Sequence, residues 1–183
     1  MAQAPTILTE RLVLVPFGEE HLTPRYVAWL NDPDVVRFSE LRHSSHDLAS
    51  CKAYLRSFGE SPHYFWAIMT DHPSAWHIGN ITAHVDVSNR LADVGILIGE
   101  KQVWGLGYGT EVWGAVCTFL LGGAGLRKVA AGTMASNTGM LYIMKKAGMF
   151  EEARRLDHYL RDGQPEDLVY CALFGSNAGP ISQ

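Results

Sequence analysis

Apolar and polar positions alternate along Asp93-Val-Gly-Ile-Leu-Ile-Gly99, with Val94, Ile96 and Ile98 set against Asp93, Gly95, Leu97 and Gly99. A period of two is that of a β-strand. Farther on, Val112, Val116, Phe119 and Leu120 fall at i, i+4, i+7 and i+8, the stripe of an amphipathic helix. Between strand and helix lie Gly105, Gly107 and Gly109. Three missing side chains let backbone N–H groups close around an anion where the positive end of the helix points.

The same periods organise the rest of the chain. Ile7 to Pro16 predicts a first strand, and Leu22, Tyr26, Trp29 and Leu30 share one face of a helix that Asn31-Asp-Pro33 breaks. Ser44 or Ser45 is placed to cap a second helix with Leu48, Cys51, Leu55 and Phe58 facing inward. Tyr64 to Thr70 and His77 to Val87 predict two antiparallel strands, with Asp71, Pro73 and Ser74 in the turn between them. Arg127 to Ser136 predicts another strand, and Asn137 to Ala147 a helix with Met140, Ile143, Met144 and Ala147 inward, ended by Gly148. Glu151 to Leu160 and Leu168 to Phe174 close the chain as a hairpin joined through Arg161 to Pro165. The order is strand, helix, helix, three strands, helix, strand, helix, two strands. It predicts an α/β (α+β) fold, a mixed sheet covered on both faces.

Composition narrows the class. A chain of 183 residues suits one domain, here residues 1–175, with Ser176 to Gln183 as a flexible polar tail. A formal charge of -4 argues against nucleic acid as a partner. Cys51, Cys117 and Cys171 lie far apart, without metal spacing or an even disulfide set, which suits a reducing cytoplasm. The N-terminal residues show no secretory pattern, and the longest uncharged stretch falls short of the roughly 18 residues of a membrane span. The expectation is a soluble cytoplasmic protein without a membrane partner. His43/His46 and His72/His77 lack an acid or cysteine at matching spacing, so no metal site is expected.

Three kinds of phosphate loop could be built on such a glycine stretch. A P-loop needs Lys-Ser or Lys-Thr after its last glycine, whereas Thr110 and Glu111 follow Gly109. A dinucleotide loop needs a later third glycine and an acid about 20 residues on, which Gly125 to Ala131 does not supply. What remains is Gln102-Val-Trp-Gly105-Leu-Gly107, which resembles the acyl-CoA pyrophosphate loop of the GNAT N-acetyltransferase superfamily. The resemblance extends from Leu8 to Phe174. Thr9-Glu-Arg-Leu-Val-Leu-Val-Pro16, Trp29-Leu-Asn-Asp-Pro-Asp34, His77-Ile-Gly-Asn80, Ala92-Asp-Val-Gly-Ile96, and Asn137 followed by Lys146-Ala-Gly148 look like successive pieces of its RimJ/RimL-type branch.

That resemblance implies a mostly antiparallel central sheet of about seven strands with helices on both faces. It also implies acetyl transfer from acetyl-CoA to a primary amine by direct attack, and a homodimer is compatible with it. The cofactor-binding residues it indicates are Gln102, Val103, Trp104, Gly105, Gly107, Tyr108, Gly109 and Thr110. A strand bulge near Leu97 or Ile98 would aim an amide at the thioester, and Asn137 would reach the pantetheine arm or cap its helix. Asp93 and His84 are the candidate bases, and Tyr159 is a candidate acid alongside Ser136 and water. The family's usual leaving-group tyrosine falls at Met144 and a serine of some relatives at Met140. Trp29, Arg37, Glu40, Arg42, His43, Arg155, Asp157, His158 and Tyr159 lie in segments that line the acceptor cleft of relatives. The leading expectation for the acceptor is a small amine such as an amino-sugar nucleotide. A protein N-terminal α-amine is the alternative enzyme reading, and a non-catalytic CoA-binding module is the alternative outside catalysis.

Overall fold

A computed structural model describes residues 4–71 and 75–175. The expected turn residues Pro73 and Ser74, His72, and the expected tail from Ser176 lie outside those residues. In chain order the elements are β1 (Ile7–Leu8), β2 (Leu12–Pro16), α1 (Pro24–Leu30), α2 (Pro33–Val36), α3 (Leu48–Arg56), β3 (Tyr64–Thr70) and β4 (His77–Asp86). They continue with β5 (Leu91–Ile98), α4 (Tyr108–Thr118), β6 (Lys128–Met134), α5 (Thr138–Lys146), β7 (Phe150–Arg161) and β8 (Gln164–Phe174). One eight-stranded sheet runs in the order β1-β2-β3-β4-β5-β6-β8-β7. Every neighbouring pair is antiparallel except β5 and β6. Among the described residues no helix is long and apolar enough to cross a membrane.

Alternation sorts the side chains onto two faces. On one, Val112, Trp113, Val116 and Leu120 of the α4 segment and Met144 of α5 pack against Trp66, Ile68, Ile81, Val94 and Val129. On the other, Tyr26, Trp29 and Leu30 of α1 and Cys51 of α3 pack against Phe65 and Ala67. A Cβ at Gly99 would collide with the Trp29 ring, so this glycine lets α1 close onto the end of β5.

Local chemistry explains the departures from the sequence pattern. The first strand is two, because Thr9 N–H donates to Leu12 O (2.9 Å) and turns the chain at Glu10 and Arg11. The sheet therefore has eight strands. Neither Ser44 nor Ser45 caps α3; Asp47 does, accepting from Ser50 N–H at 2.7 Å while its own N–H donates to Ser50 Oγ at 3.0 Å. Leu48 is exposed and Cys51 is the buried residue of that helix. The final hairpin turns on Asp162 and Gly163 alone, both left-handed with φ of 52° and 77°, so its strands run longer than expected.

The turn that splits the first strand is also a clasp on α4. Glu111, in the first turn of that helix, accepts from Thr9 Oγ1 (2.6 Å), Arg11 N–H (2.8 Å) and Arg11 Nε (2.7 Å). Arg11 Nη1 donates to Leu106 O (2.9 Å), and its guanidinium lies 4.6 Å from the Tyr108 ring centre. Burial alone would raise the Glu111 carboxyl's pKa; the hydrogen bonds from Thr9 and Arg11 outweigh it and hold the group ionised.

His77 is a buried polar anchor of the opposite face. Its Nε2–H donates to Gly79 O (2.9 Å), and its ring lies 5.0 Å from Trp29, 5.3 Å from His21 and 5.8 Å from Phe17. Burial, then repulsion from His21, lowers its pKa to about 4, partly offset by the bond to Gly79 and lowered further by Arg25. The folded state thus prefers neutral His77, and the stability this contributes is complete above the unfolded value near 6.5 and lost as pH falls toward 4.

Two outcomes follow. Urea unfolding of the wild type should weaken by up to about 3 kcal/mol between pH 6.5 and 4, and His77→Phe should flatten that fall; equal slopes in both proteins would refute the assignment. Glu111→Ala should cost roughly 1–2 kcal/mol, and a double-mutant cycle with Arg11→Ala should show that the two losses are not additive.

Candidate active site

The parallel ladder between β5 and β6 is short. It holds at Leu91↔Lys128, Ala92↔Val129 and Asp93↔Ala130, after which the two strands diverge. β4 stays paired with β5 up to Gly79↔Ile98, and β6 stays paired with β8 up to Met134↔Leu168. Gly99 N–H donates to Ile78 O (3.0 Å), so by antiparallel alternation the amides of Ile96 and Ile98 point away from β4, into the gap. The opening lies within a cleft of about 1030 Å³.

One arm of the cleft is the glycine loop. Gly105 and Gly107 adopt left-handed φ of 79° and 84°, a conformation that admits glycine without strain. Gly107 is the N-cap of α4, and the amides of Gly105, Gly107, Tyr108, Gly109 and Thr110 have no backbone acceptor among the described residues. Gly109 brings α4 close to α5, since a Cβ there would sit 3.0 Å from Ile143 Cδ1. Trp104 Nε1 donates to Ile98 O (2.8 Å), and Lys101 Nζ reaches Asp32 (2.7 Å) and Asp34 (3.0 Å), fastening the loop to β5 and to the start of α2.

The other arm is roofed by α1, α3 and the final hairpin. Tyr26, Cys51, Tyr54, Asn80, Thr82, Leu97 and Tyr159 line it. Arg42, paired with Glu40 at 2.7 Å, donates through Nη2 to Leu160 O (3.2 Å), which ties the segment after α2 to β7. Burial, with Glu40 and Tyr170 nearby, raises the Tyr159 phenol, and Arg42 and Arg155 pull it down only in part. It stays protonated at neutral pH.

The cleft gathers Leu97, Ile98, Val103, Trp104, Gly105, Gly107, Tyr108, Gly109, Thr110, Asn137 and Tyr159. Val103 N–H is already spent on Glu100 O (3.2 Å), so Val103 shapes the loop instead of offering a donor. Gln102 is exposed outside the lining. Asn137 caps α5, its Oδ1 accepting from Met140 N–H (3.2 Å) and its Nδ2 donating to Thr133 Oγ1 (3.0 Å). The register with β4 is regular through Leu97 and Ile98, and just beyond it Gly99 N–H and Glu100 N–H both donate to Ile78 O (3.0 and 3.1 Å), the doubled contact of a β-bulge, so the splay and this irregularity lie side by side at the end of β5.

Asp93 and His84 face each other across β4 and β5 but do not line the cleft. His84 lies 4.9 Å from His63; burial and His63 lower its pKa, and Asp93 partly restores it. Of the residues expected around the acceptor, Arg37, Glu40 and Tyr159 line the cleft, whereas Trp29, Arg42, His43, Arg155, Asp157 and His158 do not. Met144 is wholly buried, while Met140 and Tyr142 border the cleft. Among the described residues no group of three His, Cys, Asp or Glu could hold a metal.

Sequence reasoning passed over Asn80, Thr82 and Tyr54. The available signal was a carboxamide and a hydroxyl flanking Ile81 inside the otherwise apolar and small run Ile78 to Ala83. Together the two arms can hold a diphosphate at the helix start, pass an extended chain through the splay, and present its end to a second reactant under α1 and α3.

Known proteins fit this geometry. The structure superposes on RimL, the ribosomal L7/L12 α-N-protein acetyltransferase in complex with coenzyme A, with a TM-score of 0.81 at 12% identity, covering 95% of this chain and 99% of that one. It matches the spermidine N-acetyltransferase of Vibrio cholerae in complex with CoA and spermine with a TM-score of 0.80 at 13% identity, covering 91% and 97%. A GNAT-family acetyltransferase of Bacillus anthracis gives 0.79 at 17% identity, covering 93% and 98%. No functionally curated protein matches by sequence. The family model described as the acetyltransferase (GNAT) domain matches residues 11–150, most of the chain, and the protein belongs to that family.

Proposed function

We propose that this N-acetyltransferase passes the acetyl group of acetyl-CoA to the primary amine of a small molecule, and that an amino-sugar nucleotide is one acceptor of this kind. The observation that carries the reading is the splay beyond Asp93 and Ala130, which puts unpaired strand amides beside a helix-capping glycine loop. The amides of Gly105, Gly107, Tyr108, Gly109 and Thr110 receive the diphosphate. Asn137 stands along the path of the pantetheine arm, and the amide of Ile98 faces the thioester oxygen as negative charge grows on it. In the acceptor arm Arg37, which makes no ion pair among the described residues, suits the phosphates of a nucleotide acceptor.

The attacking nitrogen must be neutral. His84, kept largely neutral by burial and by His63, and Asp93 opposite it take the amine's proton through water. As the C–N bond forms and the C–S bond breaks, Tyr159 donates a proton to the departing sulfur. A thiol has a pKa of about 8.5, so the thiolate also leaves tolerably without an acid, which suits a chain with Met144 where relatives place tyrosine.

Acetyl-CoA at about 100 times its dissociation constant should stabilise the wild type by about 2.7 kcal/mol, whereas NAD and ATP should not. Gly107→Val, strained at a left-handed position, should lose the response. Thiol release with glucosamine, a glucosamine nucleotide, spermidine and an Ala-initiated tetrapeptide then sorts the acceptors. Turnover of the peptide alone would select the N-terminal reading, and binding without turnover of any amine would select the non-catalytic one. For the base, Asp93→Asn and His84→Ala should each depress the acid limb of the pH–rate profile; unchanged profiles would exclude both.

A further inference from the structure

We infer that Asn80 is the group that grips the acceptor's amine, a specificity-determining contact of the acetyl-transfer reading on which this assignment rests. Asn80 sits in mid-β4 between Ala67 and Leu97 on the neighbouring strands, 9% exposed. Its Oδ1 is buried and has no hydrogen-bond partner among the described residues, although the side chain borders the cleft. Other buried polar groups of this strand are satisfied: His77 bonds Gly79 O at 2.9 Å, and Thr82 Oγ1 donates to Gly95 O at 3.5 Å. Buried polar atoms are rarely left unpaired, so the missing donor is expected to arrive in the cleft.

The two reactants differ in what they bring. The cofactor's N–H groups lie on the amides of its pantetheine arm and not on the thioester that ends beside Leu97, so at Asn80, opposite Leu97, the donor is the acceptor, whose primary amine carries two N–H groups. Thr82, 7% exposed and on the same face two residues along, offers a second oxygen beside the Tyr54 hydroxyl. With one N–H on Asn80 Oδ1 and the other on Thr82 Oγ1, the nitrogen lone pair is left for the carbonyl carbon held next to Leu97. The C–N bond forms, the C–S bond breaks with its electron pair on sulfur, and the nitrogen's surplus proton departs to water or base. Asn80 takes no proton. Its bond strengthens as the nitrogen becomes positive, which lowers the barrier instead of merely binding the ground state. A secondary amine has one N–H too few for this cradle.

The test uses Asn80→Leu, similar in size without polar atoms, and Asn80→Asp, which keeps an oxygen. For Asn80→Leu, thermal stability should hold or rise because an unpaired polar atom is removed, and acetyl-CoA affinity by calorimetry should be unchanged. Its kcat/KM for whichever of glucosamine, spermidine or the Ala-initiated tetrapeptide the wild type acetylates should fall roughly 100-fold. In Asn80→Asp the carboxylate favours the bound ammonium, so the acid limb of the pH–rate profile should move to higher pH. Parallel loss of stability and activity in Asn80→Leu would make Asn80 a packing residue and overturn the assignment, as would wild-type kcat/KM in that variant. If the wild type binds acetyl-CoA but acetylates none of these amines, the assignment falls while the cofactor cleft stands; if it binds no acetyl-CoA, the acetyl-transfer reading itself fails.

Discussion

The structure depends on a ladder that stops. β5 and β6 share three rungs, Leu91 to Asp93 against Lys128 to Ala130, and then separate. A parallel pair inside a sheet would ordinarily continue, because each unmade rung leaves a donor and an acceptor without a partner. Here each strand keeps its outer neighbour to the end, β4 for β5 and β8 for β6, so the loss is confined to the inner edges. The sheet stays intact while a slot opens through it, with oriented amides along its wall.

Several interactions fix the glycine loop relative to that slot. Glu111 is held by Thr9 and Arg11, Trp104 by Ile98 O, and Lys101 by Asp32 and Asp34. They come from the first hairpin, the end of β5 and the corner between α1 and α2. A loop whose backbone must present amides with left-handed glycines is entropically costly to order, and anchors from three directions offset that cost. The Thr9-Glu-Arg11 stretch, which at the sequence level carries only a family resemblance, has a physical role as the clasp on α4.

The arm under α1 and α3 is built differently. Rings of Phe17, Tyr26, Trp29 and the buried His77 pack together behind it, Tyr26 alone of the four bordering the cleft, and Asn80 and Thr82 are polar positions of the lining. The buried Asn80 Oδ1, without a hydrogen-bond partner among the described residues, is a cost that this arm carries in its lining.

The sequence by itself determined most of the elements and their faces, since those follow from local periods: two for the strands, 3.6 for α4 and α5, with Gly148 and Asn137 marking helix ends. It also determined where the chain would form a glycine loop with free amides at a helix start, because Gly105, Gly107 and Gly109 act through local backbone geometry. Turn chemistry was less legible: Asp47 in place of Ser44 or Ser45, and the split at Thr9, depend on which of several competent side chains finds its partner. Only the tertiary structure decided that the β5–β6 ladder ends at Asp93, that Asp93 and His84 stand outside the cleft lining, and that Asn80 has no partner within it. Those outcomes are set by contacts between residues distant in sequence, the packing of α1, α3, α4 and α5 against opposite faces of one sheet, which no local pattern encodes.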